Sequence, residues 1–213
     1  MKISIRKKLF LFALIVFVGN GILGYAVYKS NEKLLNSEQW VQHTEQVIYQ
    51  SVKILSISKN IQTATEDYVI TQDRSFLNPL YAAQKNIFDD LGELRKLTAD
   101  NPIQQKRIDS LDSYLKSYLA FSLKTIEKRK VQRLGPAMAY TAVNQGRGYI
   151  DRIRGLTVAI QQHESVLLKL REAANTDSVS TFNRLSIFMF ISRGVFAIIL
   201  LIIISKYLFQ NRE

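Results

Sequence analysis

The chain opens with a block in which nearly every position is apolar. Leu9 to Tyr28 reads LFLFALIVFVGNGILGYAVY, 20 residues without a charge. At ~1.5 Å rise per residue such a helix covers ~30 Å, one hydrocarbon thickness. The run is long for a signal peptide, and Tyr25-Ala26-Val27-Tyr28 is a poor cleavage site, so an uncleaved anchor is the preferred reading. A second block lies near the C-terminus. Gly194 to Leu208 is apolar apart from Ser205 and Lys206, and Leu185 to Ile191 extends it, with Arg193 intervening. A charge at the bilayer centre costs ~2.5–3.5 kcal/mol on insertion scales, so Arg193 is expected near the outer interface, its stem snorkelling. A partner for an acidic group or a lipid phosphate is the functional alternative to a plain anchor.

Between the blocks the pattern changes to helical periods. Ser30 to Thr71 contains no Gly or Pro and is expected to continue the first span as one helix. Small polar residues recur every seven positions (Ser30, Ser37, Thr44, Ser51, Ser58, Thr65), flanked by the line Trp40, Val47, Ile54, Ile61, Tyr68 and the line Leu34, Val41, Ile48, Leu55. A seven-residue period implies left-handed supercoiling, as in a coiled coil or four-helix bundle. The small seam is either a core layer facing bulky side chains or a surface that slides during signalling. A turn at Gln72-Asp73-Arg74-Ser75 leads to a second helix capped by Ser75 or Asn78, with apolar positions from Phe76 to Leu94 at three-four spacing. Asn101-Pro102 reads as N-cap and first position of a third helix, with Gln104 placed for a capping-box contact. Ile108, Leu111, Leu115, Tyr118 and Phe121 line its buried side. Gly135-Pro136 ends it, Gly146-Arg147-Gly148 is expected to bend the chain at the membrane-distal end, and a last helix is expected from near Tyr149 to Phe209, ~90 Å if unbroken.

The fold class is therefore all-α: an antiparallel four-helix bundle flanked by two transmembrane helices. Its divisions are a basic N-terminus at 1–8, a first span at 9–28, an external bundle at 29–184, a second span at 185–208 and a tail at 209–213. With 29 Lys+Arg against 18 Asp+Glu, the net charge is +11. Nucleic acid is the first partner such a charge suggests. Location changes that reading. Lys2, Arg6, Lys7 and Lys8 precede the first span, and residues 29–184 hold 22 basic and 17 acidic residues, an excess of five. Aromatic–basic interleaving is absent, so no nucleic-acid partner is expected. Basic flanks place both termini in the cytoplasm of a bacterial inner (plasma) membrane, with the bundle in the periplasm or exterior. Zero cysteine excludes disulfides, thiolate zinc sites and a cysteine nucleophile.

Candidate chemistry is thin. His163-Glu164 begins like a zinc-protease motif, but Leu167 stands where the second histidine would be. His43 and His163 fall about two turns out of register by helical rise. No catalytic residue, metal or cofactor is expected. The same ruler sets Trp40 beside Arg171, within reach of a cation–π contact, though Trp40 also fits a core or interfacial role. Glu164 and Arg171, seven apart, suit an inter-helix or dimer contact, or a solvated face. Lys124, Lys128, Arg129, Lys130 and Arg133 cluster on the far end of the third helix, and Arg147, Arg152 and Arg154 are candidates to join them in an anion-binding site.

The external segment resembles the CHASE3 domain family over roughly Leu35 to Thr181. The carriers are Trp40-Val41-Gln42-His43-Thr44, Tyr68-Val69-Ile70-Thr71, Asp100-Asn101-Pro102 with Gln104, Gly146-Arg147-Gly148, Asp151-Arg152-Ile153-Arg154, and Glu164 followed by Leu167-Leu168 and Arg171. Many relatives have Arg-Gly before the tyrosine of the second piece, where this chain has Glu66-Asp67. The resemblance implies an extracytoplasmic helical sensor that precedes histidine kinases or nucleotide cyclases, and it supplies no ligand residues. Expected partners are the lipid bilayer, a second copy in a homodimer, an unidentified external ligand, and a cytoplasmic kinase or cyclase output. Only seven residues follow Lys206, so the chain is expected to be a truncated receptor or a stand-alone sensor. A two-span scaffold, or an accessory subunit that binds another membrane protein, is the rival reading.

Overall fold

The computed structural model describes residues 5–131 and 135–210, and every regular element among them is helical. Helix α1 spans Ile5–Thr71, a 3₁₀ turn spans Arg74–Phe76, α2 spans Leu77–Leu97, α3 spans Pro102–Val131 and α4 spans Pro136–Gln210. The chain divides into two compact units, Gln42–Lys169 and the pair of segments Met1–Val41 with Leu170–Glu213.

In the unit Gln42–Lys169, segments of all four helices share one apolar core, with Val47, Ile54 and Ile61 from α1, Leu80 and Ile87 from α2, Ile108 and Leu115 from α3, and Ile153 and Ile160 from α4. The seven-residue period explains why α1 enters it along one stripe. Thr44, Ser51 and Ser58 are as fully buried as the Val47, Ile54 and Ile61 they alternate with. The small seam is thus a core layer. Its hydroxyls bond within their own helix, Ser58 to the Ile54 carbonyl at 2.8 Å and Thr65 to the Ile61 carbonyl at 2.7 Å. A buried hydroxyl so satisfied carries little desolvation penalty.

Neighbouring helices run antiparallel. Gln50 and Lys53 of α1 both reach Asp90 of α2, at 2.9 and 2.6 Å. Arg95 pairs with Asp109 at 2.7 Å, and the Gln105 amide donates to the Thr98 carbonyl at 2.9 Å, closing the α2–α3 turn. Between α3 and α4 the contacts descend together, from Phe121 against Tyr149 to Gln104 against Glu164.

Three sequence expectations need correction. The second helix is not capped by Ser75 or Asn78. Asp73 caps the 3₁₀ turn by accepting from the Ser75 N–H at 2.9 Å, and Asn78 lies inside α2. Gln72 closes α1 in the left-handed region (φ 63°), its N–H on the Tyr68 carbonyl at 2.9 Å. The last helix begins at Pro136 rather than near Tyr149, so Gly146 and Gly148 are helical and bend nothing. No described glycine has positive φ, and Pro136 after Gly135 supplies the start signal instead. Gln104 forms no capping box, because its side chain is engaged by α4. Asn101 does cap α3 as expected, accepting from the N–H groups of Ile103 and Gln104, each at 3.2 Å.

The second unit pairs the N-terminal part of α1 with the C-terminal part of α4. Ser37 donates to Asn175 at 2.8 Å, and Lys33 lies 3.7 Å from Asp177. Beyond these contacts the pair exposes large apolar side chains, Phe17 at 76% and Phe190 at 80%. Both α1 and α4 are long and apolar enough to cross a membrane.

Candidate functional site

Two places in the unit Gln42–Lys169 concentrate polar side chains on an apolar frame. The first is a cleft of about 390 Å³ between the last turns of α3 and the first turns of α4. Lys124 and Lys128, four apart and hence on one face of α3, stand on one side. Thr141 and Gln145 of α4 stand opposite, with Phe121 and Met138 as apolar surface. Beneath the cleft, and sharing Phe121, Thr125 and Ala142 with it, lies a cavity of about 10 Å³, room for one water. Gln62 and Glu66 of α1, Tyr118 and Ser122 of α3, and Gly146 of α4 enclose it. The Tyr118 phenol is pushed well above its ordinary range, first by burial and further by the Glu66 charge, with Ser122 acting in the opposite sense. It therefore stays protonated and remains a donor. The fully buried Ser122 Oγ has no hydrogen-bond partner at regular geometry among the described residues.

The expected basic cluster is divided by this geometry. Lys124 and Lys128 share the cleft. Arg129 is half-buried. Lys130, two positions from Lys128, faces a separate hollow of about 330 Å³ with Arg74, Asn78 and Tyr81, and approaches Glu127 at 3.5 Å. Arg133 lies outside the described residues. Arg147 is exposed on α4 just past the cleft. Arg152 and Arg154 follow Gln145 at ~10–14 Å along the helix, too far to join it. Arg154 lies 3.4 Å from Asp151 of its own helix. The sequence reading placed Phe121 on the buried side of α3 and did not single out Thr125, Met138, Thr141 or Gln145. One signal was available: Ser122 and Thr125 are polar residues continuing the buried stripe of Leu111, Leu115 and Tyr118.

The second place is where the α2–α3 turn meets α4. Asp100 and Pro102 are exposed there, while Asn101 turns its side-chain amide to His163 Nε2 at 3.2 Å. Gln104, fully buried, donates to Glu164 at 2.8 Å, and Arg107 donates to the Gln104 side-chain amide oxygen Oε1 at 3.1 Å. Glu164 is 4% exposed, so the hydrogen bond from the Gln104 amide partners a buried carboxylate. Thr44 and Tyr68 lie in the core, His43 is half-buried, Gly146 is buried against Phe121, and Gly148 is exposed. In the other unit, the Arg171 guanidinium sits 4.7 Å from the Trp40 ring centroid and donates to the Trp40 carbonyl at 3.3 Å. Of the roles the sequence left open for Trp40, the cation–π contact with Arg171 is the one present. Among the described residues, no three His, Asp or Glu side chains converge as a metal site.

Order and spacing of these pieces agree with a known family. The CHASE3 domain model matches residues 37–174. The chain belongs to the CHASE3 family. CHASE3 domains are sensory, non-catalytic modules of signal-transduction receptors, found outside the cytoplasm. The match runs from Ser37 to Ala174, so Trp40, the α2–α3 turn, Glu164 and Arg171 all fall within the CHASE3 segment. Among curated proteins and among solved structures, nothing matches the chain.

Proposed function

We propose that this CHASE3 chain is the sensory and membrane-spanning input unit of a bacterial receptor of the histidine-kinase type. It works as a homodimer, with residues 9–28 and 185–208 crossing the inner membrane and residues 29–184 outside. The observation that supports this most is α4, a single helix from Pro136 to Gln210. It contains cleft residues at one end and the second apolar stretch at the other. A helix transmits displacement along its axis because each turn is hydrogen-bonded to the next, and shifts of ~1–2 Å suffice in known switches. Basic residues before the first apolar block support a cytoplasmic N-terminus.

The stimulus site in this proposal is the cleft. Two ammonium groups flanking Phe121 and Met138 suit a small organic anion, its charge at Lys124 and Lys128 and its apolar part on the ring. Ligand binding acts only through different affinities for two arrangements of α3 and α4. Two experiments test the reading. Inserting glycines at Asp177–Val179, in residues 1–213 fused to a reporter kinase, should uncouple output from stimulus. Normal output would overturn transmission through α4. For the cleft, calorimetry with aliphatic and aromatic carboxylates and with inorganic phosphate should detect binding that Lys124→Gln/Lys128→Gln abolishes. Binding unchanged by that double substitution would move the site elsewhere.

A further inference from the structure

Arg193 is the one charged residue set within the apolar stretches 9–28 and 185–205, and its depth follows from the register of α1 against α4. Within their unit, Trp40 meets Arg171, Ser37 meets Asn175 and Lys33 approaches Asp177. Each step back along α1 is therefore matched by a step forward along α4. Half-buried positions continue that pairing through the apolar stretches, with Val27, Asn20 and Val16 on α1 and Leu185, Ser192 and Phe196 on α4. Lys29 and Arg184 then fall at nearly the same level and bound one end of the apolar band. Arg193 lies about nine residues further in, ~13 Å, close to the middle of a ~30 Å hydrocarbon layer. That is not the interfacial position suggested by composition, and it is further from the headgroups than an arginine stem extends.

The side chain is exposed there and makes no hydrogen bond or ion pair with any described residue. Neither apolar stretch contains Asp or Glu. A second copy of the chain brings to that depth a second guanidinium and the half-buried Asn20 amide, whose nitrogen donates to the Val16 carbonyl, but no carboxylate. Gly194 and Ala197 are exposed beside Arg193, and nothing lies within 4 Å of where a Gly194 Cβ would be, so another backbone can come close.

We propose that the Arg193 face of α4 docks a membrane-spanning helix of a different protein, one carrying an aspartate or glutamate at mid-depth. The carboxylate is the complement that this chain lacks, and in hydrocarbon each charge is the only good solvation of the other. The inference rests on the two-span reading above. A helix so docked would feel any displacement of α4, which makes it a route for regulation as well as assembly.

The test uses the full chain in phosphatidylcholine vesicles with synthetic polyleucine helices bearing a central Asp, Asn or Leu. Energy transfer should report association of the Asp helix roughly tenfold tighter than the Leu helix. Arg193→Gln should remove that preference, and Arg193→Lys should keep part of it. Equal association of Asp and Leu helices, or a preference that survives Arg193→Gln, overturns the proposal. So does self-association of the chain that depends on Arg193, or a preference that disappears when phosphatidylglycerol is added, since a second copy or a lipid headgroup would then be the occupant. Because the chain has no cysteine, a spin label on Gly194→Cys reads depth separately. A label in water or at the interface refutes the two-span reading. A label at mid-depth without carboxylate preference refutes the docking site alone.

Discussion

Both compact units contain parts of α1 and α4, and these helices bury their apolar side chains in one and expose them in the other. In the unit Gln42–Lys169, α1 buries Val47, Ile54 and Ile61 completely, and α4 does the same with Ile153 and Ile160. In the other unit the same two helices leave Phe10 72% exposed and Ile187 60% exposed. Burying an aliphatic or aromatic side chain is worth ~1.5–3 kcal/mol against leaving it wet. The bundle completes its core with its own residues, whereas the pair leaves large apolar side chains uncovered, a surface that the two-span proposal assigns to lipid. Polar contacts follow the same division. They are buried and specific between α3 and α4 at Gln104 and Glu164, whereas in the pair Lys33 and Asp177 meet at an exposed 3.7 Å.

The comparison can be broken most directly by truncating one side chain in each unit. Ile61→Ala removes a fully buried side chain from the bundle and should cost about 2–5 kcal/mol in denaturant unfolding of the whole chain in detergent. Phe17→Ala removes a larger but exposed side chain and should change the same unfolding free energy by less than about 0.5 kcal/mol. Equal costs would mean that the apolar pair has a packed core of its own. Next in size is Gln104→Leu. It fills the same space but strips the donor from buried Glu164, and should cost about 2–3 kcal/mol; Glu164→Leu on top should recover part of it. A double-mutant cycle without coupling would show that the two do not depend on each other. Asn101→Ala removes the α3 cap and should cost about 1 kcal/mol, with Asn101→Asp close to neutral.

The smallest effect is a pH signature of the water-facing turns. The hydrogen bonds from Ser75 hold the Asp73 carboxyl below its usual range, backbone first. A carboxyl lowered on folding adds stability above its unfolded value, and that contribution is lost as pH falls through the folded value. Wild type should therefore exceed Asp73→Asn at neutral pH, and the gap should narrow at acid pH. A gap that widens there would contradict the capping role.

Much of this was legible because it is local. Asn101-Pro102 starts α3 as written, since capping involves only residues within one turn. The buried stripes of α1 and α3 follow directly from spacing. Other readings failed where a long-range contact outweighed a local preference. Gly146 and Gly148 disfavour a helix by ~1 kcal/mol each, less than α4 gains by packing its first turns on α3. Gln104 stands where a capping box would use it, but Glu164, sixty positions away, takes its amide. The basic run at 128–130 looked like one patch because its members are consecutive. Successive helical residues point ~100° apart, which sends Lys128 to the cleft and Lys130 to a different hollow.

The sequence by itself determined that the chain is helical, where its apolar stretches lie, which face of each helix is apolar and which family pattern it carries. These depend on periods and caps that act over a few residues. The tertiary structure alone decided which cations share a cleft, what holds Glu164, and which residues of α1 stand level with Arg193 on α4. Each of these is a matter of register between helices, and register is set by side chains that meet only after the chain has folded back on itself.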